Sequence, residues 1–224
     1  MKKHNQQHAP VFRPDAFEVS SLQQAMSVTV TPEPGATTFE RWQKETRYLV
    51  DDIGTFLPLN PESCVLDYGC GTGRIARELI GKHGCRVIGI DTSRSLRVIA
   101  SAYVRSERFT AWPPEALDRM IADGFRADHC ICVWVIQHAQ SASEVIDRIS
   151  RALRPGGLLY SLNQLTRSVP TDRGWIDDGF DMRAGLCRAL PEENIHSLPE
   201  HVTTVQLAAS TMIQILRKPG SPPR

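Results

Sequence analysis

The chain contains the stretch Val65–Arg74, VLDYGCGTGR, in which a short apolar run ends in glycines at alternate positions, Gly69, Gly71 and Gly73. The apolar run predicts a buried strand, and the residues after the glycines predict a helix. Glycine permits positive φ and lets a ligand approach the main chain, while the first turn of a helix offers unpaired N–H groups. The stretch therefore predicts a strand, a tight turn and a helix that together can receive a nucleotide-like ligand.

The spacing of the glycines disfavours a dinucleotide site. The fingerprint G-x-G-x-x-G needs its third glycine where this chain has Arg74, and Gly73 comes one position too early. Asp67 lies just before the glycines, where its negative charge disfavours a phosphate. A second carboxylate, Asp91, ends the next apolar run about twenty residues on, where it can accept hydrogen bonds from two ribose hydroxyls. Asp91 can also cap the helix that follows, and the two roles are compatible.

These two motifs resemble those of the class I S-adenosylmethionine-dependent methyltransferases. The resemblance extends downstream, because Ala127–His138 is similar to the family's fourth strand and following loop, and Leu153–Leu159 is similar to the turn into its fifth strand. The four elements occur in the family's order. The resemblance implies that the cofactor is S-adenosyl-L-methionine and that the chain transfers a methyl group to a small-molecule acceptor.

The resemblance also implies which residues hold the cofactor. Gly69 and Gly71 contact its amino acid portion through the main chain, Asp67 holds the cationic amine, and Asp91 accepts the ribose hydroxyls. The adenine site departs from the family's acidic residue after the third strand: either Trp112 stacks on adenine or Glu115 only begins a helix, and the sequence leaves both open. The expected cofactor-binding residues are Asp67, Gly69, Cys70, Gly71, Asp91, Thr92, Val133 and Trp134.

Candidate catalytic and acceptor-binding residues lie in the loops. His138, after the fourth strand, is a candidate general base, or else a structural histidine bonded to the loop backbone. Trp42 either contacts the acceptor or anchors its helix in the core. Trp175, Asp177 and Asp178 form a segment that suits a polyhydroxylated or cationic acceptor, or else a solvated surface loop.

Missing motifs narrow the expected reaction. The Asn/Asp-Pro-Pro-aromatic motif of adenine and glutamine methylation does not follow the fourth strand, and no Pro-Cys nucleophile is present for cytosine. We therefore expect methylation of an O or N atom of a small molecule, with a carbohydrate or another secondary metabolite as the preferred acceptor. The alternatives are a binding or scaffold protein without turnover and, less favoured, a nicotinamide-dependent oxidoreductase.

Composition predicts one globular domain. The 224 residues are 41% hydrophobic and 23% charged, which suffices for a single core. A net charge of +1 gives no field to attract nucleic acid or an anionic membrane. The six cysteines are expected to be reduced and mostly buried, and their spacing indicates no metal site. Without an apolar leader or a membrane-spanning run we expect a cytoplasmic protein; the sequence does not indicate its oligomeric state.

The alternation of apolar strand and helix patterns predicts an α/β fold: a doubly wound, mostly parallel sheet of seven strands with helices on both faces. Residues 203–207 and 212–216 are expected to form a C-terminal antiparallel hairpin. Thr37-x-x-Glu40 is a capping box for a helix that buries Phe39, Trp42, Leu49, Ile53 and Phe56 and stops before Pro58.

This pattern also predicts the domain organisation. Residues 37–218 are expected to form the class I methyltransferase domain, and residues 219–224 a disordered tail. Residues 1–36 are expected to form a flexible N-terminal arm or lid, with a short extended piece at 27–31.

Overall fold

A sheet of seven strands forms the centre of the computed structural model, which describes residues 8–31 and 37–220. In chain order the strands are Cys64–Tyr68 (β1), Arg86–Ile90 (β2), Phe109–Trp112 (β3), Ala127–Val133 (β4), Leu153–Gln164 (β5), Val169–Thr171 (β6), Gly174–Ile176 (β7), Glu192–His196 (β8) and Thr211–Arg217 (β9). The strand order in the sheet is β3-β2-β1-β4-β5-β9-β8; β1 to β5 are parallel, and β9 is antiparallel to both β5 and β8. A separate hairpin consists of β6 and β7.

Helices cover both faces of the sheet, as the alternating pattern predicts. The α-helices are Leu22–Thr29 (α1), Thr38–Phe56 (α2), Arg74–His83 (α3), Arg94–Val104 (α4), Pro114–Ala122 (α5), Ala142–Ala152 (α6), Met182–Ala189 (α7) and Val205–Ala209 (α8). Neighbouring residues of β1 enter opposite cores: Val65 packs with α2, α3 and α4, whereas Leu66 packs with α5, α6 and α7. Within residues 8–31 and 37–220, no helix is both long and apolar enough to cross a bilayer.

The capping box at the start of α2 is confirmed. The Thr37 hydroxyl accepts the Glu40 N–H at 3.2 Å, and the Glu40 carboxylate accepts the Thr37 N–H at 2.9 Å. Trp42 is buried on this helix, but Phe39 is 58% exposed, so its placement on the buried stripe is wrong. Helical periodicity predicts on which face of the helix a side chain lies. It does not predict whether another part of the protein packs on that face at each position.

The C-terminal hairpin forms from other residues than expected. The strand predicted at 203–207 is wrong, because Thr204 accepts the Leu207 N–H and thereby caps the short helix α8. The antiparallel neighbours of β9 are β5 and β8, and β8 comes from the preceding segment Glu192–His196. A short apolar run is ambiguous between strand and helix, and here the capping threonine decides it.

The extended piece predicted at 27–31 is also wrong. Ser21 accepts the Gln24 N–H and caps α1, which reaches Thr29. We call residues 8–31 the N-terminal segment; it packs on the domain through the buried Ala25 and Val30. Residues 1–7 and 32–36 of the expected arm, and residues 221–224 of the expected tail, lie outside the described residues. The flexibility of the arm and the disorder of the tail stay predictions.

Candidate active site

The glycine turn after β1 is held against the end of β2. The N–H groups of Gly69 and Cys70 both donate to the Ile90 carbonyl, at 2.6 and 3.0 Å. Gly69 has φ +80°, and a Cβ there would lie 2.1 Å from a methyl carbon of Val135, so only glycine fits. Among the described residues, a Cβ at Gly71 would meet only the Thr29 hydroxyl, at 3.5 Å. The turn therefore leaves room for a ligand beside Gly71.

Asp91 lies opposite this turn and is oriented by backbone groups. Its carboxylate accepts the Gly71 N–H and the Ser93 N–H, each at 2.9 Å and each through a different oxygen. Each oxygen keeps a further acceptor position, which suits the two hydroxyls of a ribose. Arg97, which the sequence analysis missed, donates to the carbonyls of Asp91 and Thr92 at 2.7 and 2.9 Å. The side of the site expected for the ribose is thus preorganised.

Asp67 supplies a second carboxylate at the end of β1. Its side chain is 3% exposed. The pKa of Asp67 is raised to about 7, mainly by burial and also by the charge of Asp91, while Arg74 opposes the rise. Burial likewise raises the pKa of Asp91. Two carboxylates at the ends of neighbouring strands favour a cation between them.

A buried ion cluster centred on Glu45 joins α2 to the glycine turn. The fully buried Glu45 carboxylate accepts hydrogen bonds from Arg41 at 3.1 Å, Arg74 at 2.5 Å and the Trp134 indole at 2.8 Å. Trp134 has φ +62°, which is rare outside glycine, and its backbone N–H donates to the Leu162 carbonyl at 2.7 Å. The sequence analysis missed Glu45, although a carboxylate between Trp42 and Leu49 on one buried stripe was a signal.

Trp42, expected either at the acceptor or in the core, is 7% exposed. Its ring meets Tyr103 edge-on at 6.1 Å, and the Arg74 guanidinium lies 5.6 Å from its centroid. The structure therefore places Trp42 as an anchor between α2, α3 and α4.

Polar atoms without partners near the glycine turn allow a test of the expected cofactor. The Thr72 hydroxyl and the Arg74 Nε are buried and have no hydrogen-bond partner among the described residues. Both are donors that suit a carboxylate, whereas Asp67 suits an ammonium group. Together with the open space at Gly71, the residues present fit the charges of an amino acid portion.

His138 lies in the 3-10 turn Ile136–His138 after β4. Its Nδ1 lies 2.6 Å from the Ser168 carbonyl, which only accepts, so Nδ1 carries the proton. Gln137 accepts the Gln164 N–H at 2.6 Å through its amide oxygen, so its amide nitrogen donates to His138 Nε2 at 3.0 Å. Burial lowers the pKa of His138, and Arg167 lowers it further. The imidazole is therefore neutral, with the lone pair on Nε2.

Aromatic rings from distant segments surround His138. Phe17 of the N-terminal segment and Trp175 of β7 lie 5.8 and 5.4 Å from its ring centroid, and they lie 6.0 Å from each other. Trp175 is 56% exposed. Of the residues expected at the acceptor, the structure thus brings His138 and Trp175 together.

The two carboxylates expected to bind the methyl acceptor, Asp177 and Asp178, form hydrogen bonds to groups of the protein itself. Asp178 pairs with Arg167 at 2.9 Å, and the Arg167 guanidinium also donates to the carbonyls of Ile136 and Ala139, which flank His138. Asp177 accepts the Gly179 N–H at 2.9 Å. Asp178 therefore fixes the turn that carries His138.

The expected adenine region stays open between two interpretations. Trp112, at the end of β3, is 46% exposed, and its carbonyl accepts the Asp91 N–H at 3.1 Å. Glu115 lies in the first turn of α5.

Two further residues expected to bind the cofactor differ in burial. Val133, at the end of β4, is buried, whereas Thr92 is exposed.

The fold and the site define a class: a Rossmann-like methyltransferase, with its glycine turn at β1 and an antiparallel β9 beside β5. The chain belongs to the methyltransferase-domain family, which matches residues 39–206, well over half of its length.

Two curated relatives resemble parts of the chain. A ubiquinone biosynthesis O-methyltransferase of Coxiella burnetii is 29% identical over 97 residues, which is 43% of this chain and 41% of the relative. A thiol S-methyltransferase of Homo sapiens is 29% identical over 126 residues, which is 54% of this chain and 50% of the relative. The chain thus spans half or less of the length of these relatives.

Solved structures share the fold. The crystal structure of the cyclase SpnF has a TM-score of 0.64 at 19% identity and covers 86% of each chain. The N-methyltransferase NodS from Bradyrhizobium japonicum, in complex with S-adenosyl-L-homocysteine, has a TM-score of 0.61 at 17% identity, over 88% of this chain and 97% of that chain. At these identities the likeness establishes the fold alone.

Proposed function

We propose that the protein is an S-adenosylmethionine-dependent methyltransferase that acts on an O or N atom of a small molecule, such as a carbohydrate or a secondary metabolite. One observation supports this most directly: the Asp91 carboxylate is bonded to the Gly71 N–H at 2.9 Å, beside the buried Asp67. This arrangement offers acceptors to ribose hydroxyls and negative charge to a cationic amine. The two carboxylates beside the glycine turn disfavour a pyrophosphate, so the arrangement suits a nicotinamide dinucleotide poorly.

In this proposal the chain's residues bind and orient the two reactants. Asp91 accepts the ribose hydroxyls, Asp67 faces the amine, and Thr72 and Arg74 offer donors for the carboxylate. S-Adenosylmethionine supplies a methyl group on a positively charged sulfur. The acceptor attacks the methyl carbon in line with the carbon–sulfur bond and displaces the sulfur as a neutral thioether. Since charge disperses in that transition state, positioning and exclusion of water provide much of the acceleration.

His138 is the proposed general base for an acceptor whose nucleophile carries a proton. Its neutral imidazole has the proton on Nδ1, bonded to Ser168, so Nε2 is the atom that accepts. The Gln137 amide now bonds Nε2 at 3.0 Å, and an acceptor hydroxyl or amine must replace that amide for the proton to move. Trp175 and Phe17 cover part of the half-buried imidazole.

Calorimetric titration of the purified chain with S-adenosylhomocysteine and, separately, with NADH tests the proposal. We expect binding of the first only, weakened tenfold or more by Asp91→Ala, a loss of about 1.4 kcal/mol. Asp147→Ala, at an exposed carboxylate on α6, is the matched control and leaves the affinity unchanged. Binding of NADH alone contradicts the proposal.

A labelled-methyl transfer screen against metabolite extracts, with mass analysis of the products, distinguishes turnover from binding. We expect label to enter a small molecule. Cofactor binding without transfer across the extracts favours a scaffold protein.

A further inference from the structure

Three donors from separate positions of the chain meet at the carboxylate of Glu45. It accepts hydrogen bonds from Arg74 of α3 at 2.5 Å, from the Trp134 indole at 2.8 Å and from Arg41 of α2 at 3.1 Å. Glu45 is fully buried, so water does not compete for these bonds. Hydrogen bonds to a charged group in such surroundings strongly restrain the groups that form them.

Two of these donors flank the glycine turn, beside which the amino acid portion of the cofactor is proposed to lie. Arg74 is the first residue of α3, directly after the turn. Trp134 directly follows β4, the neighbour of β1 in the sheet. The next residue, Val135, lies against the turn, since a Cβ at Gly69 would be 2.1 Å from one of its methyl carbons. Glu45 therefore links the glycine turn to the end of β4.

The backbone of Trp134 has a conformation that its surroundings must hold. Its φ of +62° lies in the left-handed region, which disfavours a side chain of this size. Two hydrogen bonds restrain the residue: its backbone N–H donates to the Leu162 carbonyl at 2.7 Å, and its indole donates to Glu45. Glu45 thus helps to fix the shape of the chain where β4 ends.

Glu45 also orients the guanidinium of Arg74. One terminal nitrogen, Nη2, donates to Glu45, and the other, Nη1, donates to the Thr46 hydroxyl at 2.9 Å. The remaining nitrogen, Nε, is buried and has no hydrogen-bond partner among the described residues, and the same holds for the hydroxyl of Thr72 in the glycine turn. Because a buried donor without a partner is costly, these two donors favour an acceptor group of a ligand.

We propose that Glu45 is a positioning residue of the cofactor site: by holding Arg74 and Trp134, it sets the geometry of the part that binds the amino acid portion of S-adenosylmethionine. This role rests on the methyltransferase function proposed above. Glu45 itself contacts neither reactant, because its carboxylate already accepts three hydrogen bonds from the protein. On the nucleoside side, Asp91 is held by backbone N–H groups and not by Glu45.

Two ligands that differ in the amino acid portion test this role. S-Adenosylhomocysteine carries that portion, whereas 5′-methylthioadenosine keeps the adenosine and the sulfur but lacks it. We expect Glu45→Gln to weaken S-adenosylhomocysteine binding about tenfold and to change the affinity for 5′-methylthioadenosine by less than about twofold. The variant's amide carries no charge and cannot accept from all three donors, so Arg74 and Trp134 shift.

Both affinities are measured by calorimetry on the full chain. The second, expected to be weaker, is obtained by displacing 5′-methylthioadenosine with S-adenosylhomocysteine. Glu78→Gln is the matched control, because Glu78 is an exposed carboxylate on α3, and it leaves both affinities unchanged.

The comparison of the two ligands distinguishes positioning from a general effect on stability. If Glu45 only stabilises the fold, Glu45→Gln weakens both ligands by the same factor, and this result overturns the proposal. Unchanged affinity for S-adenosylhomocysteine in the folded variant overturns it as well.

Trp134→Phe replaces Glu45→Gln if that variant does not fold by circular dichroism. Phenylalanine keeps an aromatic ring but removes the indole donor to Glu45. We expect about threefold weaker binding of S-adenosylhomocysteine and unchanged binding of 5′-methylthioadenosine. An equal loss for both ligands, or no loss for either, counts against the positioning role.

Titration of the wild type separates this role from the proposed function. If the wild type binds S-adenosylhomocysteine and the variant loses both ligands equally, the positioning role fails and the proposed function stays. If the wild type binds NADH and not S-adenosylhomocysteine, the proposed function fails, and the positioning role fails with it.

Discussion

The two halves of the carboxyl edge of the sheet are built by different kinds of contact. Over β1 and β2, carboxylates bond to backbone N–H groups nearby in the chain or in the turn after the adjacent strand, as Asp91 does with Ser93 and Gly71. Beyond β4, side chains tie together segments far apart in sequence, as Asp178 does through Arg167 with the turn that carries His138. In the proposed function, the first half binds the cofactor through contacts that are already fixed. The second half binds the acceptor, and its specificity can change through substitutions in the loops alone.

Glu45 bonds to both halves, so its removal is expected to have the largest effect. Glu45→Ala removes the carboxylate that the buried guanidiniums of Arg41 and Arg74 share, and with it the acceptor of the Trp134 indole. We expect the free energy of unfolding to fall by about 3–5 kcal/mol, measured by urea denaturation.

Glu45→Gln is the matched control. Its amide oxygen can still accept one hydrogen bond but carries no charge, so the loss is expected to be smaller than in Glu45→Ala. An unchanged urea midpoint in Glu45→Ala shows that the two halves are stabilised independently of this cluster.

The pH dependence of cofactor affinity tests the role of Asp67, and with it the first half alone. Burial raises its pKa to about 7 in the free protein, and a cationic amine favours the ionised carboxylate. Affinity for S-adenosylhomocysteine is therefore expected to be about eightfold lower at pH 6 than at pH 7.5, by calorimetry. Asp67→Asn is expected to bind weakly at both pH values.

The stability of the cofactor-free protein should change with pH in the opposite direction. Because the raised pKa makes the folded chain hold a proton that the unfolded chain has released, the contribution of Asp67 to the free energy of unfolding increases as pH falls from 7 towards 4. The difference between the wild type and Asp67→Asn isolates this contribution. Equal pH profiles for the two proteins contradict it.

Asp178→Asn tests the second half and is expected to have the smallest effect. It removes an ion pair whose carboxylate is 37% exposed, while Arg167 keeps its two carbonyl partners. Hydrogen exchange at residues 136–139 is expected to rise about two- to fivefold, as for a contact of about 0.5–1 kcal/mol. Asp177→Asn is the neighbouring control, and the glycine turn should be unaffected. Faster exchange at Gly71 contradicts the independence of the two halves.

The sequence predicts the first half well because its contacts are short in sequence or follow from strand order. Gly69, Asp67 and Asp91 can be located from one motif and one strand, and the structure brings them together. Their roles toward the cofactor stay predictions.

The second half was harder to predict because its contacts depend on tertiary placement. Nothing in the local pattern indicates that Arg167 bonds the carbonyls beside His138, or that Phe17 packs on its ring. The hairpin β6–β7 is only three residues long on each side, too short for a period-two signal.

The pairing of the N-terminal segment with the hairpin constrains the order of folding. Phe12 forms a β-bridge with Thr171, and the Val11 N–H bonds to Asp172 across 161 positions of sequence. During synthesis the segment leaves the ribosome before its partner strand, which emerges only after β1 to β5 have been made. Contacts between residues so far apart in sequence form late in folding. The entropy lost in closing the intervening loop must first be offset by contacts in the core. The N-terminal segment is therefore made before its partner strand and is expected to be among the last parts of the domain to reach its final position.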